Sequence, residues 1–337
     1  MTSRERIYKT IKGELTDRTP FSLWRNFPKT EKTAEGFAKA IINFQKKFEF
    51  DLVKITPASG YFDEVFGAKF IYKNNKETSQ KGTRQNVSYP IKNAKDWQKL
   101  SNLNINKNIL DRELKSLKLI RKGLGKDAPI VQTIPNPLTI AKELSGKNWI
   151  QYLRKNPNDL KIGLSVIAEI VLKFCENSLK SGADGIFFYT KTASYDFLTK
   201  EEYREFGMKY DYQILDELKK QTDLIILHIH GKNIMFNLLK NYPVQIINWH
   251  DRLTKPLLNE AKKLFNGALL GGINEWETLL KKTPTDVKKE IKQAIQQTNG
   301  KRLIIGPGCV IPIDTPEENI MAIKEILNLL SKNDIIK

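Results

Sequence analysis

The run Leu224-Ile225-Ile226-Leu227, which leads directly into His228-Ile229-His230-Gly231, is the stretch that decides the fold. Consecutive apolar, partly β-branched residues without charges are typical of a parallel strand that is buried on both faces. Seven comparable runs occur along the chain: Phe21 to Trp24, Leu52 to Ile55, Ile130 to Ile134, Gly185 to Tyr189, Gln245 to Trp249, Ala268 to Leu270 and Leu303 to Ile305. The sequence therefore predicts eight short parallel strands.

Helical patterns lie between these runs. Thr199 followed by Glu202 forms a predicted capping box, and Thr283-Pro284 and Thr315-Pro316 place proline at the first helical position. Strands that alternate with helices over about 300 residues are typical of a (β/α)8 TIM barrel. The rival is a doubly wound open sheet, which the lack of a glycine-rich loop after the first strand disfavours.

We therefore predict one α/β domain, residues 1–337, folded as a single (β/α)8 TIM barrel. The long interval from Thr56 to Pro129 separates the second and third predicted strands. Most connections in such barrels are much shorter, so this interval is interpreted as an insertion after the second strand.

The chain has a formal net charge of +18 in 337 residues. Such a charge is compatible with nucleic acid, a membrane surface or an acidic substrate as partner. However, the lysines are spread among acidic residues, and no basic run alternates with aromatic residues as a nucleic-acid reader would require. The pattern favours compositional drift over a nucleic-acid or membrane partner, and the expected partner is a small-molecule substrate that is anionic or a thiol.

The remaining composition indicates where the protein acts. The mean hydropathy is −0.44, and no apolar stretch approaches the ~18 residues that a membrane helix needs. The N-terminus has mixed charge and no apolar core, which is unlike a signal peptide. Two cysteines in a chain of this size do not form a disulfide framework, so a cytoplasmic location is expected.

All three histidines and one of the two cysteines lie just after predicted strands. Side chains alternate along a strand, so His228 and His230 point the same way, at the barrel rim where active sites form. Cys309 follows the last strand after Gly306-Pro307-Gly308. Imidazole and thiolate are zinc's usual ligands, so we predict a Zn2+ site at His228, His230 and Cys309. The alternative is that the histidines are structural and the thiol is inert.

Other strand ends supply candidates for catalysis and substrate binding. His250, Arg25 and Tyr189 are the predicted catalytic residues, and Lys54, Trp249 and Asp251 are predicted to bind substrate. Arg25 or Lys54 could hold an anionic group, or each could be in a structural ion pair. Asp251 could orient a histidine or pair with Arg252. The role of His250 stays open between ligand, general base and structural residue.

Several motifs together resemble the uroporphyrinogen decarboxylase superfamily over nearly the whole chain. They are Arg4-Glu5-Arg6 with Asp17-Arg18-Thr19-Pro20, Gly182-Ala183-Asp184-Gly185, Leu227-His228-Ile229-His230-Gly231 and Thr315-Pro316-Glu317-Glu318-Asn319. The resemblance implies the barrel fold. The chain differs from the true decarboxylases: Arg25 is the one arginine kept after the first strand, and Ala58, Glu143 and Pro307 stand where that branch has Asp, Tyr and His.

Gly308-Cys309-Val310-Ile311-Pro312 resembles the last zinc motif of the other branch, the cobalamin-dependent methyltransferases. That branch holds zinc with a His-x-Cys pair and a later Cys. His228 matches its histidine, and His230 stands where its first cysteine would be. A site with one thiolate instead of two leaves the zinc more electron-poor and a stronger Lewis acid.

The resemblance implies a zinc-dependent methyltransferase that moves a methyl group from methylcobalamin or a corrinoid protein to a small thiol. Two alternatives remain open. One is a lyase or decarboxylase, or a metal-dependent hydrolase, acting on an anionic small molecule at the same residues. The other is a non-catalytic ligand-binding barrel, because barrels host many functions.

Overall fold

The computed structural model describes residues 1–75, 80–102 and 106–333, so the remaining residues of the predicted domain 1–337 lie outside the described part. Its strands are β1 (Val53–Ile55), β2 (Lys69–Asn75), β3 (Gln80–Ser88), β4 (Ile130–Pro135), β5 (Gly185–Thr190), β6 (Ile225–Ile229), β7 (Ile246–Trp249), β8 (Ala268–Ile273) and β9 (Leu303–Pro307). The helices are α1 (Ser3–Lys12), α2 (Ala34–Phe48), α3 (Tyr61–Val65), α4 (Asp96–Lys99), α5 (Lys107–Leu124), α6 (Pro137–Ser145), α7 (Trp149–Lys155), α8 (Pro157–Lys180), α9 (Lys200–Tyr203), α10 (Lys209–Leu218), α11 (Phe236–Leu239), α12 (Leu258–Leu264), α13 (Thr278–Lys281), α14 (Pro284–Thr298) and α15 (Glu317–Asn333). Two 3-10 turns (Leu100–Asn102 and Gly146–Asn148) and a π-helical segment (Arg204–Met208) complete the described elements.

Seven strands form one curled parallel sheet in the order β1-β4-β5-β6-β7-β8-β9. This arrangement confirms the predicted parallel α/β architecture and is consistent with a TIM-barrel-like fold. The predicted helix starts at Thr199 and Thr283 are also confirmed, because both residues form complete capping boxes. Within the described residues, we find no helix with the length and apolar character to cross a membrane.

The first predicted strand, Phe21 to Trp24, is not a regular strand. Phe21 forms one isolated parallel bridge with Ile305 of β9, and its carbonyl accepts a hydrogen bond from Asp51 just before β1. Pro20 has no N–H to extend the ladder, and the Trp24 carbonyl turns to the amide of Ile311. The segment Phe21 to Trp24, which we call the seam, therefore connects β9 to β1 without forming a regular strand. The parallel sheet thus contains seven strands and not the eight predicted.

The seam is held by a buried carboxylate. Asp51 is fully buried and accepts a hydrogen bond from the amide of Phe21 at 2.9 Å. The guanidinium groups of Arg6 and Arg18 contact its two oxygens at 2.5 and 2.7 Å. Because buried carboxylates are stable only when paired, these three side chains tie α1 and the seam to the edge of β1.

One face of the curled sheet encloses its own apolar layer. Alternate strand residues fill this interior, as the two-residue period of a strand requires. Its buried members are Ile7, Trp24, Leu52, Val131, Phe187, Leu224, Ile226, Ile246, Ala268, Leu270 and Ile304. The opposite face packs against the helices through residues such as Leu227 and Ile247. The parity along β6 therefore points His228 inward.

Between β1 and β4 the chain leaves the main sheet. β2 and β3 pair as an antiparallel hairpin, and α3, α4 and α5 complete this excursion. The Arg84 guanidinium lies 4.5 Å from the ring of Phe70 and donates a hydrogen bond to the carbonyl of Ser59, which anchors the hairpin beside the end of β1.

Candidate metal centre

Four side chains from three strand ends converge at the carboxyl edge of the sheet. One ligand atom from each of His228, His230, His250 and Cys309 lies within 4.8 Å of all the others. His230 is central, with its Nδ1 3.5 Å from His228 Nε2, 3.3 Å from His250 Nε2 and 3.8 Å from Cys309 Sγ. The predicted ligands are thus brought together, and His250 joins them.

The orientation of His228 is set by an asparagine that we did not predict. Asn248 is fully buried, and its amide nitrogen donates to the carbonyls of Leu270 (2.8 Å) and Pro307 (3.0 Å). Its oxygen is therefore free to accept, and it lies 2.6 Å from His228 Nδ1. This geometry places the ring proton on Nδ1 and leaves the lone pair of Nε2 facing the cluster.

Glu275 plays the same role for His250. This carboxylate is buried, with one oxygen 3.2 Å from His250 Nδ1 and the other accepting from the amide of Gly308 at 3.2 Å. His250 Nε2 is left facing His230. Glu275 links two of the three strand ends, because Gly308 precedes Cys309. The available signal was its place just beyond the end of β8, on the functional rim of the barrel.

Burial shapes the electrostatics of the cluster. Burial lowers the pKa of His230 to about 3 and that of His228 well below its usual value, and the neighbouring histidines add to both shifts. Both rings are neutral at physiological pH and can donate lone pairs. Burial and the nearby Glu275 raise the pKa of the Cys309 thiol to about 11, so a metal ion must displace its proton to bind.

The two imidazole nitrogens of His228 and His230 and the sulfur of Cys309 form a donor set that suits Zn2+ with its fourth position open, and His250 Nε2 lies beside them. The neutral histidines and their outer hydrogen-bond partners match the arrangement typical of metal sites. The residues present therefore fit the ion that the sequence predicts.

Lys54 and Tyr189 lie on the inner face near this cluster. Lys54 Nζ is 4.3 Å from the centre of the Phe187 ring and 5.2 Å from that of Trp24. Burial lowers its pKa to about 7, and the negative charge of a Cys309 thiolate opposes that shift. Tyr189 packs against the same interior layer, and burial raises its pKa. Both groups lie close enough to Cys309 for the charge of its thiolate to act on them.

Two predicted site residues make their contacts elsewhere in the described structure. The Arg25 guanidinium lies 4.8 Å from the ring centre of Phe44 and donates to the carbonyl of Ile313. Trp249 packs in the outer core and donates from Nε1 to the carbonyl of Pro256. Strand parity explains both positions: each follows an inward-facing residue and therefore points toward the helices.

The contacts of Asp251 also differ from a histidine-orienting role. Its Oδ1 accepts from the amide of Gly272 at 3.0 Å, and its Oδ2 lies 3.7 Å from Arg252 Nε. The ion pair with Arg252, one of the two alternatives, is the one that the structure contains. The residues that orient histidines are Asn248 and Glu275.

Comparisons with known proteins identify the family to which the chain belongs. The family model described as "Uroporphyrinogen decarboxylase (URO-D)" matches residues 2–328. Methylcobamide:CoM methyltransferases MtbA of Methanosarcina mazei and Methanosarcina acetivorans are each 22% identical over 96% of this chain and 97% of their own. A uroporphyrinogen decarboxylase of Campylobacter hominis is 30% identical over 68% of both chains.

Solved structures support the fold. A methyltransferase from Methanosarcina mazei superposes with a TM-score of 0.81 at 20% identity, covering 100% of both chains. A B12-independent methionine synthase from Shewanella superposes with a TM-score of 0.60 at 14% identity, covering 95% of both chains. The two MtbA matches extend over almost the whole chain, whereas the decarboxylase match covers about two thirds. The chain therefore belongs to the uroporphyrinogen decarboxylase family, and within it lies closer to the methylcobamide:CoM methyltransferases than to the decarboxylases.

Proposed function

We propose that this protein is a zinc-dependent methyltransferase that moves a methyl group from a corrinoid donor to a small thiol. The observation that carries the proposal is the convergence of His228, His230 and Cys309 at the rim of a methyltransferase-like fold. These three side chains would hold the ion. A zinc ion held there supplies Lewis acidity that lowers the pKa of an acceptor thiol.

His250 is proposed as the general base. Its Nε2 faces the cluster, and its Nδ1 is held by the buried carboxylate of Glu275 at 3.2 Å. Nε2 accepts the proton that the acceptor thiol loses, and Glu275 stabilises the imidazolium that results. The thiolate then attacks the methyl carbon of the donor, so that the S–C bond forms as the Co–C bond breaks and the corrinoid leaves with the bonding electron pair as cob(I).

Lys54 is proposed to favour an acceptor thiol that also carries a negatively charged group. Among the described residues, no carboxylate lies within ion-pair distance of its buried amine, and the anionic partner that acts on it is Cys309. An ammonium group buried without a counter-ion favours a ligand that supplies one. We therefore infer that the acceptor thiol carries an acidic group, with Tyr189 forming part of the same pocket wall.

The partner and location follow from the same reasoning. The relatives' names describe methylcobamide as their substrate, so methylcobalamin or a corrinoid protein is proposed as the methyl donor. Both cysteines are free, which agrees with a reducing compartment such as the cytoplasm. We further interpret the excursion of β2, β3 and α3 to α5 as an insertion into a plain barrel.

A decarboxylase or other lyase acting on an anionic small molecule is the second candidate. It is favoured by the Campylobacter hominis relative, which is named uroporphyrinogen decarboxylase. This relative is 30% identical to the chain, whereas the MtbA methyltransferases are 22% identical. It would use Lys54 and His250 without a thiol acceptor. Dependence of turnover on an added thiol separates the two candidates.

The test begins with metal content in protein purified without an affinity tag. We expect about one zinc per chain in the parent, and its loss in the double variant His230→Ala, Cys309→Ala. The matched control is Cys175→Ala, which removes a buried thiol far from the rim in α8 and should keep the zinc.

Methyl transfer is then followed through the visible spectrum of methylcobalamin, with mercaptoacetate and uncharged 2-mercaptoethanol as acceptors. We expect the zinc-loaded parent to demethylate methylcobalamin with thiol present, and faster with the acidic thiol. Zinc binding without any thiol-dependent demethylation would reject the methyltransferase proposal. A parent that binds no zinc even after reconstitution would reject the metal mechanism.

A further inference from the structure

A second group of buried polar side chains lies outside the metal centre. It lies between the carboxyl ends of β4 and β5 and the helical segment 200–218, which comprises α9, the π-helical segment and α10. Asp211 of α10 is fully buried and accepts hydrogen bonds from Tyr242 (2.8 Å), Tyr203 (3.1 Å) and the amide of Asn136 (3.0 Å). A buried carboxylate with three donors is fully satisfied and holds its partners rigidly.

Two of these donors lead directly to β5. The hydroxyl of Tyr203 donates to Asp211, so it accepts from the hydroxyl of Thr190, 3.2 Å away. The backbone amide of Asn136 donates to the carbonyl of Tyr189 at 2.8 Å. The last two residues of β5 are therefore fixed from behind, on the side away from the cluster.

Thr190 in turn fixes a residue of the cluster. Its backbone carbonyl accepts from the amide of His230 at 2.9 Å. His230 follows the end of β6, so this bond continues the pairing of β5 and β6 by one residue. A continuous chain of contacts thus runs from Asp211 through Tyr203 and Thr190 to the central histidine of the site.

The π-helical segment Arg204–Met208 explains how Tyr203 reaches Asp211. The two residues are eight positions apart, and in a regular α-helix eight residues overshoot two turns by about 80°. A π turn absorbs one extra residue, which leaves about seven residues of α-helical rotation and brings the two side chains within about 20° of each other. The irregular turn therefore aligns the phenol with the carboxylate.

Gly207 supports this reading independently. A Cβ atom at Gly207 would lie 2.7 Å from the Tyr203 ring, so no larger residue fits under that ring without displacing it. Its φ is not in the left-handed region, which means that close approach and not backbone conformation accounts for the glycine. The π segment and its glycine both serve the position of one phenol.

We propose that Asp211, Tyr203 and Thr190 are positioning residues that fix the backbone of His230 and so set how tightly the metal centre binds its ion. The inference rests on the proposed metal centre. Outer hydrogen-bond partners of metal ligands are known to influence metal affinity about 10- to 100-fold. Here the influence passes through the backbone of the ligand.

The structure offers a matched pair of variants. Tyr203→Phe and Tyr242→Phe each remove one hydroxyl that donates to the same oxygen of Asp211, yet only the Tyr203 hydroxyl also contacts Thr190. The readouts are the Zn2+ dissociation constant, measured by competition with a chromophoric chelator, and the thermal midpoint of the metal-free protein. The visible spectrum of the Co2+-loaded protein reports the ligand geometry.

We expect Tyr203→Phe to weaken Zn2+ binding about tenfold or more and to change the Co2+ spectrum, with Tyr242→Phe within about twofold of the parent. Both variants should lower the thermal midpoint. Thr190→Val, which removes the same contact from the other side, should reproduce Tyr203→Phe and replaces it if that variant does not fold. Equal weakening by both phenylalanine variants, or none by Tyr203→Phe and Thr190→Val, would overturn the inference while leaving the parent's zinc site intact. A parent that binds no Zn2+ would overturn both proposals.

Discussion

Replacing Lys54 by methionine should stabilise the protein while weakening its binding of an acidic ligand. Methionine keeps the length of the side chain and its contact with the rings of Trp24 and Phe187. It removes an amine whose pKa burial lowers from 10.5 to about 7. The folded parent therefore carries the cost of desolvating this group, and the variant does not.

The magnitude follows from the linkage between protonation and folding. One pKa unit corresponds to about 1.4 kcal/mol. Lowering the pKa from 10.5 to about 7 therefore destabilises the folded parent by roughly 5 kcal/mol below pH 7, and this is the largest stability that Lys54→Met can gain. Between pH 7 and 10.5 the unfolded chain keeps the proton that the folded chain has lost, so the parent's stability rises with pH. The advantage of Lys54→Met should therefore shrink by about 1.4 kcal/mol per pH unit across this window.

Urea unfolding of the zinc-free parent and of Lys54→Met, followed by circular dichroism at pH 6.5, 8 and 9.5, measures this difference directly. The parent should approach the variant as the pH rises. A difference that does not depend on pH, or a variant that is less stable at every pH, would refute the reasoning and show that the native amine stays charged. In the same variant, mercaptoacetate should lose its advantage over 2-mercaptoethanol as acceptor.

Three further results are expected. Zn2+ affinity should rise about tenfold per pH unit between pH 6.5 and 8.5, because the Cys309 thiol, whose pKa burial raises to about 11, must lose a proton while His228 and His230 are already neutral; chelator competition across that range measures the slope, and a flat profile would exclude the thiolate as ligand. Glu275→Gln should reduce the rate of thiol-dependent methyl transfer about tenfold or more without loss of zinc, which stopped-flow spectra and metal analysis check together; zinc loss would instead make Glu275 part of the metal site. Arg25→Met should leave both zinc content and methyl transfer within about twofold of the parent, since its guanidinium packs on Phe44; a large loss of activity with zinc retained would restore Arg25 to the site.

The sequence contained enough to place the centre of the site. Apolar runs predicted the strands, and the two-residue period predicted that His228 and His230 share a face, because those rules are local. The same alternation along β7 predicts that Asn248 points inward beside His228 and that Trp249 points outward. The phase of β7 in the sequence therefore distinguishes its inward from its outward residues, as the phase of β6 does.

Other features depend on contacts that no local pattern records. Glu275 is one of many glutamates, and what distinguishes it is the Gly308 amide and the His250 ring, both distant in sequence. The seam at Phe21 looked like a strand because its composition is that of a strand, but Pro20 and the Trp24 carbonyl redirect the backbone. Such choices are made by tertiary contacts, which override local propensity.

The seam also constrains the order of assembly. Its hydrogen bonds join Phe21, near the start of the chain, to Ile305, near its end. During synthesis the seam therefore lacks its partner strand until β9 has left the ribosome. Contacts between such distant parts of a chain form slowly, and an unpaired strand edge can capture other chains in the meantime. The ion pairs of Asp51 with Arg6 and Arg18 join residues only 45 and 33 positions apart, so the chain can form them before β9 is made.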